Sequence, residues 1–236
     1  LERLKKERDL VGVYLSSHPL QQYSLLMDYM CNITLAEFKD SLDKYVGSEV
    51  TFGGIVISLF EGITKTNAKY GRILLEDYSG RAEVPLFSKD YVNYGAYGKE
   101  NLYILIQGKV DRSKYNNKIY FAIKNISLME DASKKLIKDL TIVVDSQNFD
   151  SSKANALDEL LNKYIGGVGN LNFEIVDRSL GYCVPLYSRS KKVNIDPSLV
   201  SALEAIDGIE VKVNGKLIER KEKEVEESFE EEYITD

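Results

Sequence analysis

The sequence is poor in the residues that build metal and thiol chemistry. It has one histidine, His18, and two cysteines, Cys31 and Cys183, which lie far apart. That supply suggests neither a zinc site nor a disulfide framework. No apolar run approaches the roughly 18 residues of a membrane span, and nothing resembles a signal peptide. The chain therefore reads as cytoplasmic, with no membrane partner. No Gly-Lys-Ser/Thr follows Gly166-Gly167-Val168-Gly169. The stretch is then no phosphate loop and reads as a helix C-cap and turn. There is no tandem repeat.

What is present suits two compact domains: 236 residues, 44% of them hydrophobic. The net charge of −6 is unevenly spread. Leu217 to Asp236 holds nine acids and three bases, so removing it from 37 acids and 31 bases leaves 28 of each. The body is neutral and the deficit is a tail, which reads as disordered. A neutral body does not exclude nucleic acid, because binding depends on a local basic stripe. The sequence opens at Leu1 inside a charged helical pattern, which suggests an excised fragment.

The periodicity predicts a helix over Leu1 to Leu15, a second over Leu20 to Met30, and a short third after the capping-box spacing Thr34-Leu-Ala-Glu37. Beyond Gly47 the pattern turns to strands: Ser48 to Leu59, with Gly53-Gly54 expected as a bulge or bend, then Tyr70 to Tyr78 and Arg81 to Phe87. In the third, Ala82, Val84 and Leu86 alternate with Glu83, Pro85 and Phe87. Pro85 cannot donate to a ladder, so it belongs at an edge or bulge. A short helix over Ser88 to Tyr97 and strands over Leu102 to Arg112 and Lys118 to Met129 complete the order of an OB-fold barrel.

A small α+β unit follows. It has a strand at Leu140 to Asp145 and a helix capped by Ser151 or Ser152 that ends at Gly166-Gly167. Strands are expected at Leu171 to Val176, Gly181 to Tyr187 and Lys192 to Ile195. Asp196-Pro197 opens a helix to about Ile206, and Ile209 to Val213 is the last strand. The fold class is mostly β with α+β: a five-stranded OB-fold barrel preceded by short helices and followed by a small α+β domain. The expected divisions are 1–46 helical, 47–131 OB-fold, 132–216 α+β, and 217–236 acidic tail.

Two stretches carry a resemblance. Leu10-Val-Gly-Val-Tyr-Leu-Ser-Ser-His-Pro-Leu20 resembles the helix end that precedes the OB domain of the bacterial DNA polymerase III alpha subunit. Leu74-Leu-Glu-Asp-Tyr-Ser-Gly-Arg-Ala-Glu-Val-Pro-Leu-Phe87 resembles the second and third strands of that OB domain. Leu140 to Val213 looks, more weakly, like the family's C-terminal domain. The resemblance implies single-stranded DNA as a ligand and the clamp-loader tau subunit as a partner. It places the polymerase's palm aspartates and their magnesium far upstream. No Asp-x-Asp pair is present here, so no catalytic residue, metal or cofactor is expected in this fragment.

An OB-fold binds strands across its second and third strands, walled by the loops between strands 1 and 2 and between 4 and 5. The first loop, Glu61 to Lys69, holds Lys65 and Lys69, followed by Tyr70 and Arg72. The second region holds Lys109, Arg112, Lys114, Lys118 and Lys124 against one acid, Asp111, with Tyr115 and Tyr120 interleaved. Cations track phosphates and aromatic faces stack on bases, whereas the plain alternative is a solvated hairpin. Phe87 either faces the cleft or packs under the next helix.

Other residues read as structural. Glu76 and Asp77 are adjacent on a strand and point to opposite faces, so they make a poor catalytic pair, and Asp77 suits a cap on the Tyr78-Ser79-Gly80 turn. His18 before Pro19 reads as a helix-end cap. Gln22-Tyr-Ser-Leu-Leu26 partly matches a sliding-clamp peptide but falls in a helical pattern. Ile209 to Val213 lacks the glutamine of a second clamp-like segment, so clamp binding is not expected. The competing function is a pure protein-interaction module of the replisome with negligible DNA binding. A tRNA-ligase anticodon-binding domain would need a catalytic half that is absent, and the Leu10 to Leu20 motif speaks against it.

Overall fold

The computed structural model describes residues 18–218. The helix expected over Leu1 to Leu15 and the acidic stretch beyond Ile218 lie outside them. The chain enters through a 3₁₀ turn, Pro19–Tyr23, and a short helix α1, Ser24–Met30. One helix was expected here and the chain makes two pieces. His18 caps the turn: its Nδ1 accepts the Leu20 N–H at 3.2 Å, and its ring lies 4.4 Å from that of Tyr78. Burial lowers the His18 pKa against the opposing pull of Glu76 and Asp77.

Helix α2, Leu35–Asp40, starts as the sequence predicts. Thr34 Oγ1 accepts the Glu37 N–H at 3.2 Å and Glu37 Oε2 accepts the Thr34 N–H at 2.9 Å. Such a cap contributes about 1 kcal/mol. Asp77 extends it across the fold. Its Oδ2 accepts the Leu35 N–H at 2.9 Å, while its Oδ1 accepts the N–H groups of Ser79 and Gly80. One buried carboxylate thus ties the helix start to the Tyr78-Ser79-Gly80 turn, the capping role expected of it.

The first sheet contains β1 (Glu49–Ile63), β2 (Lys69–Glu76), β3 (Arg81–Phe87), β4 (Tyr103–Arg112) and β5 (Ile119–Leu128), in the order β3-β2-β1-β4-β5. Every pairing is antiparallel. Long β1 serves both halves: Glu49 to Ile55 pairs with β4, and Ile55 to Ile63 with β2. This is the strand order of an OB-fold. The edge strands β3 and β5 are not hydrogen-bonded neighbours, so the ladder itself stays open there. Pro85 sits on edge strand β3, where its missing donor costs nothing. Helix α3, Lys89–Tyr94, follows β3.

Gly53 and Gly54 form no bulge, contrary to expectation. The register shift lies at Val56/Ser58. The two glycines instead admit close neighbours: a Cβ on Gly53 would stand 2.3 Å from the Met129 methyl, and one on Gly54 2.7 Å from the Glu76 carbonyl oxygen.

A helix that the sequence pattern does not announce, α4 (Met129–Leu136), leads into a second sheet. Its members are β6 (Asp139–Asp145), β7 (Ile165–Asp177), β8 (Tyr182–Val193), β9 (Ile209–Val213) and β10 (Lys216–Leu217), in the order β10-β9-β6-β7-β8. Only β6 and β7 run parallel, joined through helix α5, Ser151–Asn162. Helix α6, Pro197–Glu204, opens with the expected Asp196 cap and Pro197.

Three expectations fail in this unit. The α5 cap is Asp150, whose Oδ1 accepts the Lys153 N–H at 2.9 Å, rather than Ser151 or Ser152. Gly166 to Gly169 is no C-cap but the start of β7. Cβ atoms on Gly167 and Gly169 would lie 2.2 and 2.4 Å from the Val193–Asn194 backbone and Ile195, so glycine permits the irregular crossing of β7 and β8. The two strands expected after Gly181 are one continuous strand, β8. Leu217, counted with the tail, pairs with Lys212 in β10.

Each sheet has its own core. Phe52, Ile73, Val84, Leu86, Ile104 and Ile106 fill the first; Leu140, Ile142, Leu171, Leu199, Leu203 and Val211 fill the second. Helix α1 joins them. Leu25 packs into the second core, while its neighbour Leu26 packs with Leu20, Leu105 and Met129 over the first sheet. Gln22 to Leu26 is therefore helical, with both leucines buried, as the packed-helix reading expected.

Candidate nucleic-acid interface

The inward side of β1 to β3 is apolar, so its outward side must carry any ligand contacts. Cross-strand pairing sets Phe60 opposite Arg72, Gly62 opposite Tyr70, and Tyr70 opposite Phe87. These residues share one outer face. The Tyr70 ring lies across Gly62, where a Cβ would stand 2.7 Å from ring atoms. Its centroid is 6.3 Å from that of Phe60 and 6.4 Å from that of Phe87, with an interplanar angle of 27° to the latter. The Arg72 guanidinium carbon stands 4.7 Å from the Phe60 centroid, and Nη1 meets Glu83 Oε2 at 2.9 Å. Both members of that ion pair are exposed, so it contributes at most about 1 kcal/mol.

Phe60 and Phe87 are half or more exposed, at 50% and 58%. Phe87 thus faces outward instead of packing under α3. Three aromatics and one arginine form a row across three strands, a surface able to stack bases. Phe60 was missed in the sequence because β1 was expected to stop at Leu59. The outward alternation Ser58, Phe60, Gly62 was the available signal.

The first loop is shorter than expected. Glu61 to Ile63 continues β1, and Lys69 opens β2 opposite Ile63. What remains is a tight turn in which Thr64 and Ala68 bond backbone to backbone at 2.8 Å and Asn67 takes φ 62°. Lys65 and Lys69 are exposed at this turn and make no ion pair among the described residues, and Lys69, next to Tyr70 on β2, leaves from the other face of the strand.

The β4–β5 hairpin forms a second group at the other side of the sheet order. Its turn is closed by Ser113 N–H to Lys118 O at 2.9 Å and Asn117 N–H to Ser113 O at 3.0 Å. Tyr115 is fully exposed at its tip and Tyr120 is exposed opposite Asp111, so neither is a core residue. The cations are not equivalent. Lys109 meets Asp111 at 3.3 Å, and Lys124 pairs with Glu49. Arg112 Nη1 donates to the Asn117 carbonyl oxygen at 3.2 Å and to its Oδ1 at 3.5 Å. Arg112, Lys114 and Lys118 thus make no ion pair among the described residues. The Arg112 N–H, then Lys109, hold the Asp111 carboxyl below its ordinary pKa, so it stays ionised beside them.

Catalytic constellations are not among the described features. Glu76 is engaged by Arg81 and Asp77 by two turns of backbone. Burial, with Asp77 and Asp28 nearby, pushes the Cys31 thiol up to about 12, an inert setting. Among the described residues no three His, Cys, Asp or Glu side chains group to hold a metal ion. No described helix is long and apolar enough to cross a membrane.

Comparison with known proteins supplies what geometry cannot. Residues 140–214 match the family model of the DNA polymerase III alpha subunit, C-terminal domain. The DNA polymerase III alpha subunit of Pasteurella multocida is 26% identical over 164 residues, covering 70% of this chain. That of Escherichia coli K12 is 26% identical over 165 residues, also 70% of this chain. This chain is similar to the C-terminal region of DNA polymerase III alpha subunits. The match takes in 14% of the length of those curated relatives.

Among solved structures, the mitochondrial single-stranded DNA binding protein Rim1 of S. cerevisiae is similar over 34% of this chain and 92% of its own, at 15% identity and TM-score 0.26. The second OB-fold domain of replication protein A from Methanococcus maripaludis covers 36% of this chain and 87% of its own, at 18% identity and TM-score 0.24. The strand order of the first sheet carries the fold assignment.

Proposed function

We propose that the chain is a non-catalytic end of a replicative polymerase subunit, whose OB sheet holds single-stranded template DNA and whose second sheet docks a replisome protein. The observation that carries the DNA half is the Phe60–Tyr70–Phe87 row with Arg72. Bases stack on the row, and Lys65, Lys69, Arg112, Lys114 and Lys118 take phosphates. Lys109 contributes less because Asp111 already faces it. Tyr115 and Tyr120 offer secondary stacking surfaces on the hairpin. The partner implied for residues 140–214 by the family is the clamp-loader tau subunit. Nucleotide transfer belongs to parts of the relatives that this chain does not cover.

The protein-interaction reading has one observation in its favour: two of the five hairpin cations, Lys109 and Lys124, are already neutralised. Fluorescence anisotropy with labelled oligo-dT at low salt separates the two. Reversing Arg112, Lys114 and Lys118 to glutamate together is expected to weaken binding at least about tenfold. It should also flatten the log-affinity against log-salt slope by roughly 0.7 for each phosphate that the variant no longer neutralises. Unchanged affinity in the triple variant would hand the OB sheet to a protein partner.

A further inference from the structure

Arg72 differs from the other exposed cations of the OB sheet. It stands between Phe60 on β1 and Pro85 on β3, and its guanidinium carbon lies 4.7 Å from the Phe60 centroid. Nη1 donates to Glu83 Oε2 at 2.9 Å, the only hydrogen bond of this side chain among the described residues. Glu83 thus takes one donor, cancels the charge and fixes the direction of the group. A guanidinium carries five N–H donors in a planar fork. The Nε–H and Nη2–H side is unused, and it offers two parallel donors. Both side chains are about half exposed, so this edge is open to a ligand. Arg72 is also two residues from Tyr70 on the same face of β2, about 7 Å along the strand. A base lying on the Phe60–Tyr70–Phe87 row therefore meets the fork with its edge.

We propose that Arg72, positioned by Glu83, makes the OB face prefer guanine at one place in a bound single strand. This rests on the DNA reading of the row and adds a base preference to it. A neutralised arginine is a poor phosphate ligand, and phosphates have Lys65, Arg112, Lys114 and Lys118, which make no ion pair among the described residues. What Arg72 retains is geometry. Two parallel donors fit two adjacent acceptors, and guanine presents O6 and N7 side by side. Adenine sets a donor beside N7, and thymine a methyl beside O4. Unpaired cytosine has acceptors at O2 and N3, but on a single ring that covers less of the aromatic row. Lysine in place of Arg72 supplies the charge without the fork.

Fluorescence anisotropy of the full chain tests this with labelled dT tracts carrying one central dG, 7-deaza-dG, dA or dC. The dG strand is expected to bind about fivefold more tightly than the dA strand or plain dT, the low end of what a bidentate base contact discriminates. The 7-deaza strand lacks the N7 acceptor and is expected to lose that preference. Arg72→Lys is expected to abolish the preference and leave dT affinity and its salt slope in place. Glu83→Ala is expected to reduce the preference and to steepen the dT salt slope by up to roughly 0.7, as the freed arginine reaches a phosphate. Both residues are exposed, and an unchanged melting temperature confirms the fold of each variant. Equal affinity for all the strands overturns the guanine preference and leaves the DNA reading standing. So does a preference for dC, or one that survives Arg72→Lys. No binding of any strand at low salt overturns both.

Discussion

The two sheets expose similar side chains and arrange them differently. On β1 to β3 exposed Phe60 and Phe87 flank half-buried Tyr70 crosswise, one aromatic per strand, with Arg72 among them. On β8 the exposed Tyr182, Val184 and Leu186 run lengthwise on one strand, and the cations follow farther along it. A crosswise row of flat rings fits separate planar groups, such as successive bases. A lengthwise apolar strip fits a continuous apolar stripe, such as one side of a helix. Both places combine apolar side chains with cations, and topology decides what each can bind.

The largest expected effect concerns what joins the two regions. Leu25 is buried in the second core, with Tyr29 and Met30 of the same helix packed against it, while Leu26 rests over the first sheet. Leu25→Ala is expected to cost about 2–5 kcal/mol of stability, as buried leucine truncations do. Urea unfolding monitored by hydrogen exchange would show the loss concentrated in β6, β7 and β9, with oligo-dT affinity retained in the folded state. A loss spread evenly over both sheets would mean that the regions fold as one and the comparison is too sharp.

A smaller effect separates one tyrosine on each sheet, Tyr70 and Tyr182. Tyr70→Ala is expected to cost about 1–3 kcal/mol of single-strand affinity while leaving the salt slope in place, because stacking releases no counterions. Tyr182→Ala is expected to leave DNA affinity untouched. Anisotropy titrations at several salt concentrations check both. If Tyr182 matters as much as Tyr70, the DNA path crosses both sheets.

Much of this was legible in the sequence, and the reasons for the remainder are local. Arg81 to Phe87 could be read in full, since half-buried strands alternate with period two and Pro85 marks an edge. Thr34 and Asp196 announced their helices because capping is short-range chemistry. The glycine pairs misled: Gly53-Gly54 and Gly166-Gly167 look like breaks, but their role is to admit Met129, Glu76 and Val193, partners distant in sequence. The aromatic row was half visible. Tyr70, Arg72 and Phe87 stood in expected strands, whereas Phe60 joins them only because β1 runs four residues farther to pair with β2. Charge neutralisation was invisible, because Glu49 meets Lys124 from 75 positions away.

The smallest expected effect tests how far neutralisation governs the hairpin. Lys109 belongs to the basic stripe by sequence, yet its ammonium faces Asp111 at 3.3 Å. The two side chains stand two residues apart on one outer face of β4, so the pair is built into the strand. Asp111→Asn keeps the shape and can still accept the Arg112 N–H, but it removes the charge that holds Lys109. Single-strand affinity at low salt is then expected to rise, with the salt slope steepening by up to roughly 0.7, the effect of one more neutralised phosphate. Acidification does not imitate the substitution. The Arg112 N–H and then Lys109 hold the carboxyl below its ordinary pKa, so it remains charged across roughly pH 5 to 8, where an ordinary aspartate is also ionised. A flat affinity profile over that window, together with the steeper slope in the asparagine variant, would show that Asp111 restrains a usable cation. An unchanged slope would mean that Lys109 lies off the DNA path, leaving Arg112, Lys114 and Lys118 as the hairpin's contribution.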